Sequence, residues 1–319
     1  MQVGGRSVID RFPLGSRSSL FRKSLVSEMV QAASIGWVGS GIMGSSMAGH
    51  LLRAGHRLRI HTRTRAKAHA LLDAGAEWAQ TAADAARGAD FVCTSVGMPD
   101  EVEDVYFGEA GVLKAVTAGQ VLIDFTTSAP SFAVRVAAAA HALGASALDA
   151  PVSGGDVGAR NAALSIMVGG DESCFSQAKP LLEKLGKTIV HQGAAGSGQR
   201  TKIVNQILVA ANTLGMCEAL HFAAGAGLDG QKVLASVGGG AAASWSIHVL
   251  APRVLNGDFE PGFFVEHLVK DLRIARDAAA ELDQMLPLVD LCLARYEALV
   301  AAGFGRKGTQ GIYLLYGAR

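Results

Sequence analysis

Short apolar runs alternate with longer, alanine-rich helical stretches from Ser34 to about His191, and then the alternation stops. Ile35 to Val38, Arg57 to Thr62, Phe91 to Ser95, Val121 to Asp124, Ser146 to Ala150, Ser165 to Gly169 and Thr188 to His191 read as strands. Helical sequence lies between them, clearest up to about Ala54, from Pro130 to about Leu143, and over Glu172–Leu185. This alternation predicts a doubly wound, mostly parallel sheet covered by helices on both faces. Past Gly193–Gly198 only helical patterns follow: a long one from about Gln199 to Ala226, then Gln231–Val237, Ser244–Leu255, Phe264–Leu282 and Pro287–Ala302. The expected organisation is therefore an α/β domain over 34–195 and an all-α domain over 196–319. The long helix is apolar nearly all round, which implies burial on every side or a membrane span. Asn205, Gln206, Asn212, Glu218 and His221 interrupt it too often for lipid. It reads as the central helix of the all-α domain, shared with a partner subunit.

The first strand runs into Gly39-Ser40-Gly41-Ile42-Met43-Gly44 and then a helix. With 39 glycines in 319 residues such a hexapeptide arises easily by chance. The strand–turn–helix context makes it a Rossmann-type dinucleotide turn. Gly39 allows the tight turn, Gly41 the approach of a pyrophosphate, and Gly44 the packing of helix on strand. Backbone N–H groups from Gly41 through Ile42 and Met43 then face the phosphates at the positive end of the helix dipole. The second strand ends Thr62-Arg63-Thr64-Arg65-Ala66-Lys67, with no carboxylate to receive a ribose 2′-hydroxyl. Arg63, with Arg65 and Lys67 near it, suits a 2′-phosphate, so NADP(H) is favoured and NAD(H) stays possible. The plainer reading is a set of solvated charges opening the next helix.

Composition narrows the picture. Hydrophobic content of 50%, charged content of 18% and a formal net charge of +1 describe a globular chain, with nothing that calls for nucleic acid or a membrane surface. Cys93, Cys174, Cys217 and Cys292 are widely spaced and form no C-x-x-C pair, as expected of core thiols in a reducing compartment rather than a disulfide frame or metal site. Residues 1–33 differ: Arg11 to Ser27 is rich in arginine and serine and lacks acids. This is a transit-peptide composition, or an over-long start with translation beginning at Met29. The expected location is cytoplasmic, or the mitochondrial matrix if that leader is cleaved.

Ligands of such sheets sit beyond the carboxyl ends of the strands. That rim should carry Val96-Gly97-Met98-Pro99, Thr126-Thr127-Ser128 and Pro151-Val152-Ser153-Gly154-Gly155. Lys202, Asn205 and Gln206 share one face early in the long helix. A desolvated lysine loses basicity and can exchange protons near neutral pH, as reduction of a carbonyl requires; the commoner fate is an amine snorkelling to water. Ser153-Gly154-Gly155 offers an anion cradle for a substrate carboxylate, or is simply a tight turn. Lys270-Asp271 could reach the cleft, although Glu266 and Lys270 also have the spacing of a surface ion pair.

These motifs together resemble the β-hydroxyacid dehydrogenase family. The matching stretches are Ile35 to Gly44, Asp149 to Gly155, Gly198 to Asn205, and Lys270-Asp271-Leu272, in the family's order across about Ile35 to Tyr313. The resemblance implies that Lys202 is the catalytic acid/base, that Ser153, Gly154 and Gly155 hold the substrate carboxylate, and that Thr127 and Lys270 contact the cofactor near the nicotinamide. It also implies that Val96 and Gly97 line the cofactor. Thr62-Arg63-Thr64 resembles the Asn-Arg-Thr of NADPH-using members without its asparagine. Many relatives have a second asparagine where Gln206 stands, which bears on pocket size. The histidine that the 6-phosphogluconate branch has at position 205 is absent, and the lysine that imine-reducing relatives replace is kept.

The expected protein is a two-domain NAD(P)-dependent oxidoreductase for a small 3-hydroxy acid or its semialdehyde, in which Asn205 orients the reacting oxygen beside Lys202. One alternative is an NADPH-dependent glyoxylate or succinic semialdehyde reductase. Another, of a different class, is an NADP-binding interaction module without turnover. Relatives are dimers or tetramers, so a homo-oligomer is expected.

Overall fold

The computed structural model describes residues 32–317. The leader reading falls almost wholly on residues 1–31, outside the described residues. Among the described residues nine strands form one sheet: β1 (Ser34–Val38), β2 (Arg57–His61), β3 (Glu77–Trp78), β4 (Phe91–Thr94), β5 (Val121–Asp124), β6 (Ser146–Asp149), β7 (Val152–Ser153), β8 (Leu164–Gly169) and β9 (Gly186–Gly193). Their order is β3-β2-β1-β4-β5-β6-β8-β7, with β9 paired to β8. From β3 to β6 every pairing is parallel. β8 then runs antiparallel to β6 and β7 and parallel to β9. The sheet is mostly parallel, as its apolar runs predict: β4 and β5 are buried at every position because helices cover both faces.

One face packs Trp37, Phe125, Leu148 and Ile166 against Met47 and Leu51 of the Ile42–Arg53 helix. The other packs Val92, Leu122, Tyr106 and Val136. After β9 the chain is helical, with its own core of Leu214, Leu220, Leu268, Leu272, Leu293 and Tyr296. Two departures from regular helix fall at Ser246–Leu250 and Val300–Phe304, both π-helical. The first precedes Pro252, which has no N–H to give the preceding turn. In the second, Gly303 takes φ 87°.

The long helix runs over Ser197–Gly225. It buries a single stripe that includes Lys202, Gln206, Ala210, Thr213, Cys217 and Leu220. Within one chain Val204, Leu208 and Phe222 stay 57%, 57% and 74% exposed, so burial does not extend all round. By length and composition this helix matches a membrane span. Its buried polar groups are nevertheless met by protein: Lys202 by Val152, Gln206 by Asp271, and Thr213 by Ser246.

Beneath the rim, Thr94 at the end of β4 joins two strands and a helix. Its hydroxyl donates to Asp124 Oδ1 at 2.7 Å and pairs with the Tyr106 hydroxyl at 2.9 Å. Burial pushes the Asp124 carboxyl up to about 6, even though the Thr94 and Thr126 hydrogen bonds favour its ionised form. Replacing Thr94 by valine keeps the volume, takes the Thr94 partner from the buried Tyr106 hydroxyl and leaves Asp124 with the Thr126 bonds alone. Thr94→Val should lower the free energy of unfolding by about 1–3 kcal/mol. Urea titration would measure this, and an unchanged midpoint would show the pair to be dispensable.

Candidate active site

The glycine turn combines two packed positions with one open one. Gly39 has φ 101°, and a Cβ there would collide with the Ser95 carbonyl oxygen. Its own carbonyl accepts the buried Trp37 indole N–H at 2.7 Å. A Cβ on Gly44 would sit 2.6 Å from that same carbonyl oxygen. Around Gly41 nothing among the described residues lies within 4 Å of where a Cβ would point. The Ile42–Arg53 helix starts there with neither a side-chain cap nor an acid in its first turn. Its first N–H groups are thus left for an external anion. Ile42 is exposed and Met43 packs on the sheet core. This arrangement fits a dinucleotide pyrophosphate.

Beyond β2, Thr62 is buried while Arg63 and Thr64 are exposed. Arg65 is engaged elsewhere, with its guanidinium 5.3 Å over the Trp78 ring. Arg63 pairs with Glu101 at 2.8 Å. The other Glu101 oxygen accepts the N–H groups of Gly97 and Met98 at 3.1 and 3.2 Å. The neighbouring Val96 N–H donates to the Thr126 hydroxyl at 3.1 Å.

The helical half is fastened to this rim by Asp149, at the end of β6. Its two carboxylate oxygens accept the N–H groups of Gly196 and Gln199, each at 2.8 Å. Burial raises the Asp149 pKa against these bonds. A Cβ on Gly198 would press on the carbonyl oxygens of Asp149 and Met167, so only glycine lets the helix come this close. The Gln199 side chain is fully buried, donating to the Thr126 carbonyl at 2.7 Å and accepting the Ser128 N–H at 3.1 Å.

One turn further along, Lys202 is 7% exposed and donates to the Val152 carbonyl at 2.8 Å. It does not snorkel. Burial pulls its pKa down to about 8, helped by nearby Lys270 and opposed by Asp271. Val152 immediately precedes the predicted substrate loop, so the amine is held at the start of Ser153-Gly154-Gly155. Gly154 and Gly155 take φ 130° and 61° in succession, turning the chain into the Gly155–Arg160 helix. Lys270 also points inward: it donates to the Thr127 carbonyl at 2.6 Å and lies 2.9 Å from Asp271 Oδ1. Its spacing partner Glu266 pairs with Arg306 instead. Gln206 donates to Asp271 Oδ2 and accepts from the Asn205 amide at 2.7 Å.

Lys202, Asn205, Gln206, Thr127 and Lys270 thus gather with the Ser153 loop. Thr62, Arg63 and Thr64 stand apart, beyond the Gly41 turn. Asp149, Gln199 and Glu101 were not assigned roles from sequence. Gln199 carried a usable signal, since it shares the buried stripe of Lys202 and Gln206 at helical spacing.

Two family profiles match the chain. That of the NAD-binding domain of 6-phosphogluconate dehydrogenase covers residues 34–193, and that of the NAD-binding region of NADP-dependent 3-hydroxyisobutyrate dehydrogenase covers 196–316. A probable 3-hydroxyisobutyrate dehydrogenase-like 1, mitochondrial, of Arabidopsis thaliana is 41% identical over 96% of this chain and 95% of its own length. The 2-hydroxy-3-oxopropionate reductase of Escherichia coli is 41% identical over 84% of this chain and 92% of its own. A solved 3-hydroxyisobutyrate dehydrogenase of Mycobacterium tuberculosis, with L-serine, is 32% identical, with a TM-score of 0.83 over 90% of this chain and 100% of that one. These matches define an NAD(P)-binding oxidoreductase for CH–OH donors. The chain belongs to the β-hydroxyacid dehydrogenase family.

The three glycines of the turn should respond differently to a methyl group. Gly41→Ala should fold normally yet weaken dinucleotide binding about tenfold or more, the scale of one lost phosphate contact. Gly39→Ala should lower the melting temperature outright. Paired thermal melts and cofactor titrations measure both; unchanged binding in Gly41→Ala would remove the pyrophosphate from this turn.

Proposed function

We propose that the chain oxidises a small 3-hydroxy acid, or reduces the matching semialdehyde, with Lys202 as general acid/base and NADP(H) as the favoured cofactor. The observation that carries this is the buried Lys202 amine, with its pKa brought to about 8, held beside the Ser153-Gly154-Gly155 loop. Two buried lysines, 202 and 270, face one buried carboxylate, Asp271. That imbalance favours a substrate that brings a negative charge of its own, which supports a carboxylate.

The nicotinamide, when bound, gives or takes the hydride. The chain's own groups do the rest. The Ser153 hydroxyl and the N–H groups of Gly154 and Gly155 receive the carboxylate. The Asn205 amide turns the reacting oxygen toward Lys202. The Val152 carbonyl fixes one hydrogen of the ammonium and leaves the others for substrate. In reduction Lys202 protonates the oxygen as the alkoxide forms; in oxidation the neutral amine removes the hydroxyl proton. Val96, Gly97, Thr127 and Lys270 line the cofactor side, and Gln206 sets the depth of the pocket.

A second reading, an NADPH-driven reductase of glyoxylate or succinic semialdehyde, uses the same groups and is favoured by Arg63. Steady-state rates over a panel of hydroxy acids and semialdehydes, with both cofactors, separate the two.

Lys202→Ala should lower turnover about a hundredfold or more while cofactor affinity stays nearly constant. Equal turnover would reject the role. The pH dependence has opposite signs in the two directions. Oxidation needs the neutral amine, so its kcat/KM should rise through pH about 8; reduction needs the ammonium, so its kcat/KM should fall above the same point. Profiles in both directions that run parallel would argue for a different titrating group.

A further inference from the structure

The ion pair between Arg63 and Glu101 crosses a strategic place. In the sheet, β2 and β4 flank β1. Arg63 follows β2 and Glu101 follows β4, so their 2.8 Å pair spans the carboxyl end of β1, where the Gly39–Gly44 turn lies. The two partners differ in freedom. Glu101 stands in the first turn of the Pro99–Phe107 helix, with one oxygen pinned by the N–H groups of Gly97 and Met98. The Arg63 side chain is 82% exposed and has no such anchor among the described residues. The end of β2 lacks the usual acid, and a carboxylate is supplied here from the opposite wall.

We infer that Glu101 is a specificity-determining residue for the cofactor: its fixed carboxylate competes with a ribose 2′-phosphate for Arg63 and so restrains the preference for NADP(H) over NAD(H). This rests on the reading of Arg63 as the phosphate-binding cation. To bind a 2′-phosphate, Arg63 must leave Glu101, and the phosphate must approach a carboxylate that cannot retreat. A 2′-hydroxyl meets neither obstacle, because Arg63 can stay paired and the carboxylate can accept its hydrogen bond. Glu101 thereby acts on one cofactor and spares the other.

Glu101→Gln removes the charge and keeps a carbonyl oxygen for the Gly97 and Met98 N–H groups. Dissociation constants for NADPH and NADH would be measured by fluorescence titration on the wild type, Glu101→Gln, Arg63→Ala and the double variant. The expected result is NADPH binding tightened about fivefold in Glu101→Gln, the scale of an exposed ion pair, with NADH within about twofold. That gain should fall in the Arg63→Ala background, where only direct repulsion between the carboxylate and the phosphate is left, and shrink at high salt. If Arg63→Ala weakens NADPH but Glu101→Gln shifts both cofactors equally, or neither, the role of Glu101 is overturned and the NADP reading survives. If Arg63→Ala leaves NADPH affinity untouched, both fall together.

Discussion

The carboxylate of Asp149 holds the two halves of the site in register. It stands at the end of β6 and receives two N–H groups from the start of the long helix, at Gly196 and Gln199. A buried carboxylate is costly, and the upward shift of its pKa records that cost. The helix dipole and the donated hydrogen bonds offset it. Gly198 removes the side chain that would keep helix and strand apart, and Gln199 ties the same turn to the β5 rim. Lys202 follows three residues after Gln199, on the same buried stripe. Its depth, and therefore its lowered basicity, is a consequence of how that helix start is docked.

Once the helix is placed, the remaining polar groups form a connected set. Thr127 takes Lys270, Lys270 pairs with Asp271, Asp271 receives Gln206, and Gln206 accepts from Asn205. Connected, mostly satisfied networks of this kind stiffen a crevice, because moving one member strands the next. At the far end of the rim the constraint is looser. Among the described residues Arg63 is held through Glu101, in a solvent-facing pair of the sort that exchanges partners readily. On the function proposed above, the stiff end would hold the reacting atoms and the looser end the adenosine of the cofactor.

Much of this was legible in the chain itself. Apolar runs marked seven of the nine strands, most plainly β4 and β5, which are buried at every position because helices cover both faces, whereas β2 and β9 mix buried with exposed positions. The glycine turn was readable from its strand–turn–helix setting, and the Lys202 face from its spacing. The strands missed, β3 and β7, are two residues each, too short to carry a period. Pairings between distant residues were also out of reach: nothing near Glu101 in sequence announces Arg63, and nothing near Asp149 announces the helix it caps. The long helix, apolar nearly all round, left its buried face unmarked for a different reason. An apolar composition does not tell which face the chain itself covers, and here Val204, Leu208 and Phe222 stay exposed.

The most direct test is a crystal structure of the protein with NADP(H) and a small hydroxy acid bound together. The account predicts the carboxylate on Ser153, Gly154 and Gly155, and the reacting oxygen hydrogen-bonded to Lys202 Nζ on the side that faces the Gly41 turn. A complex in which the acid binds elsewhere while the amine remains turned to Val152 would contradict it.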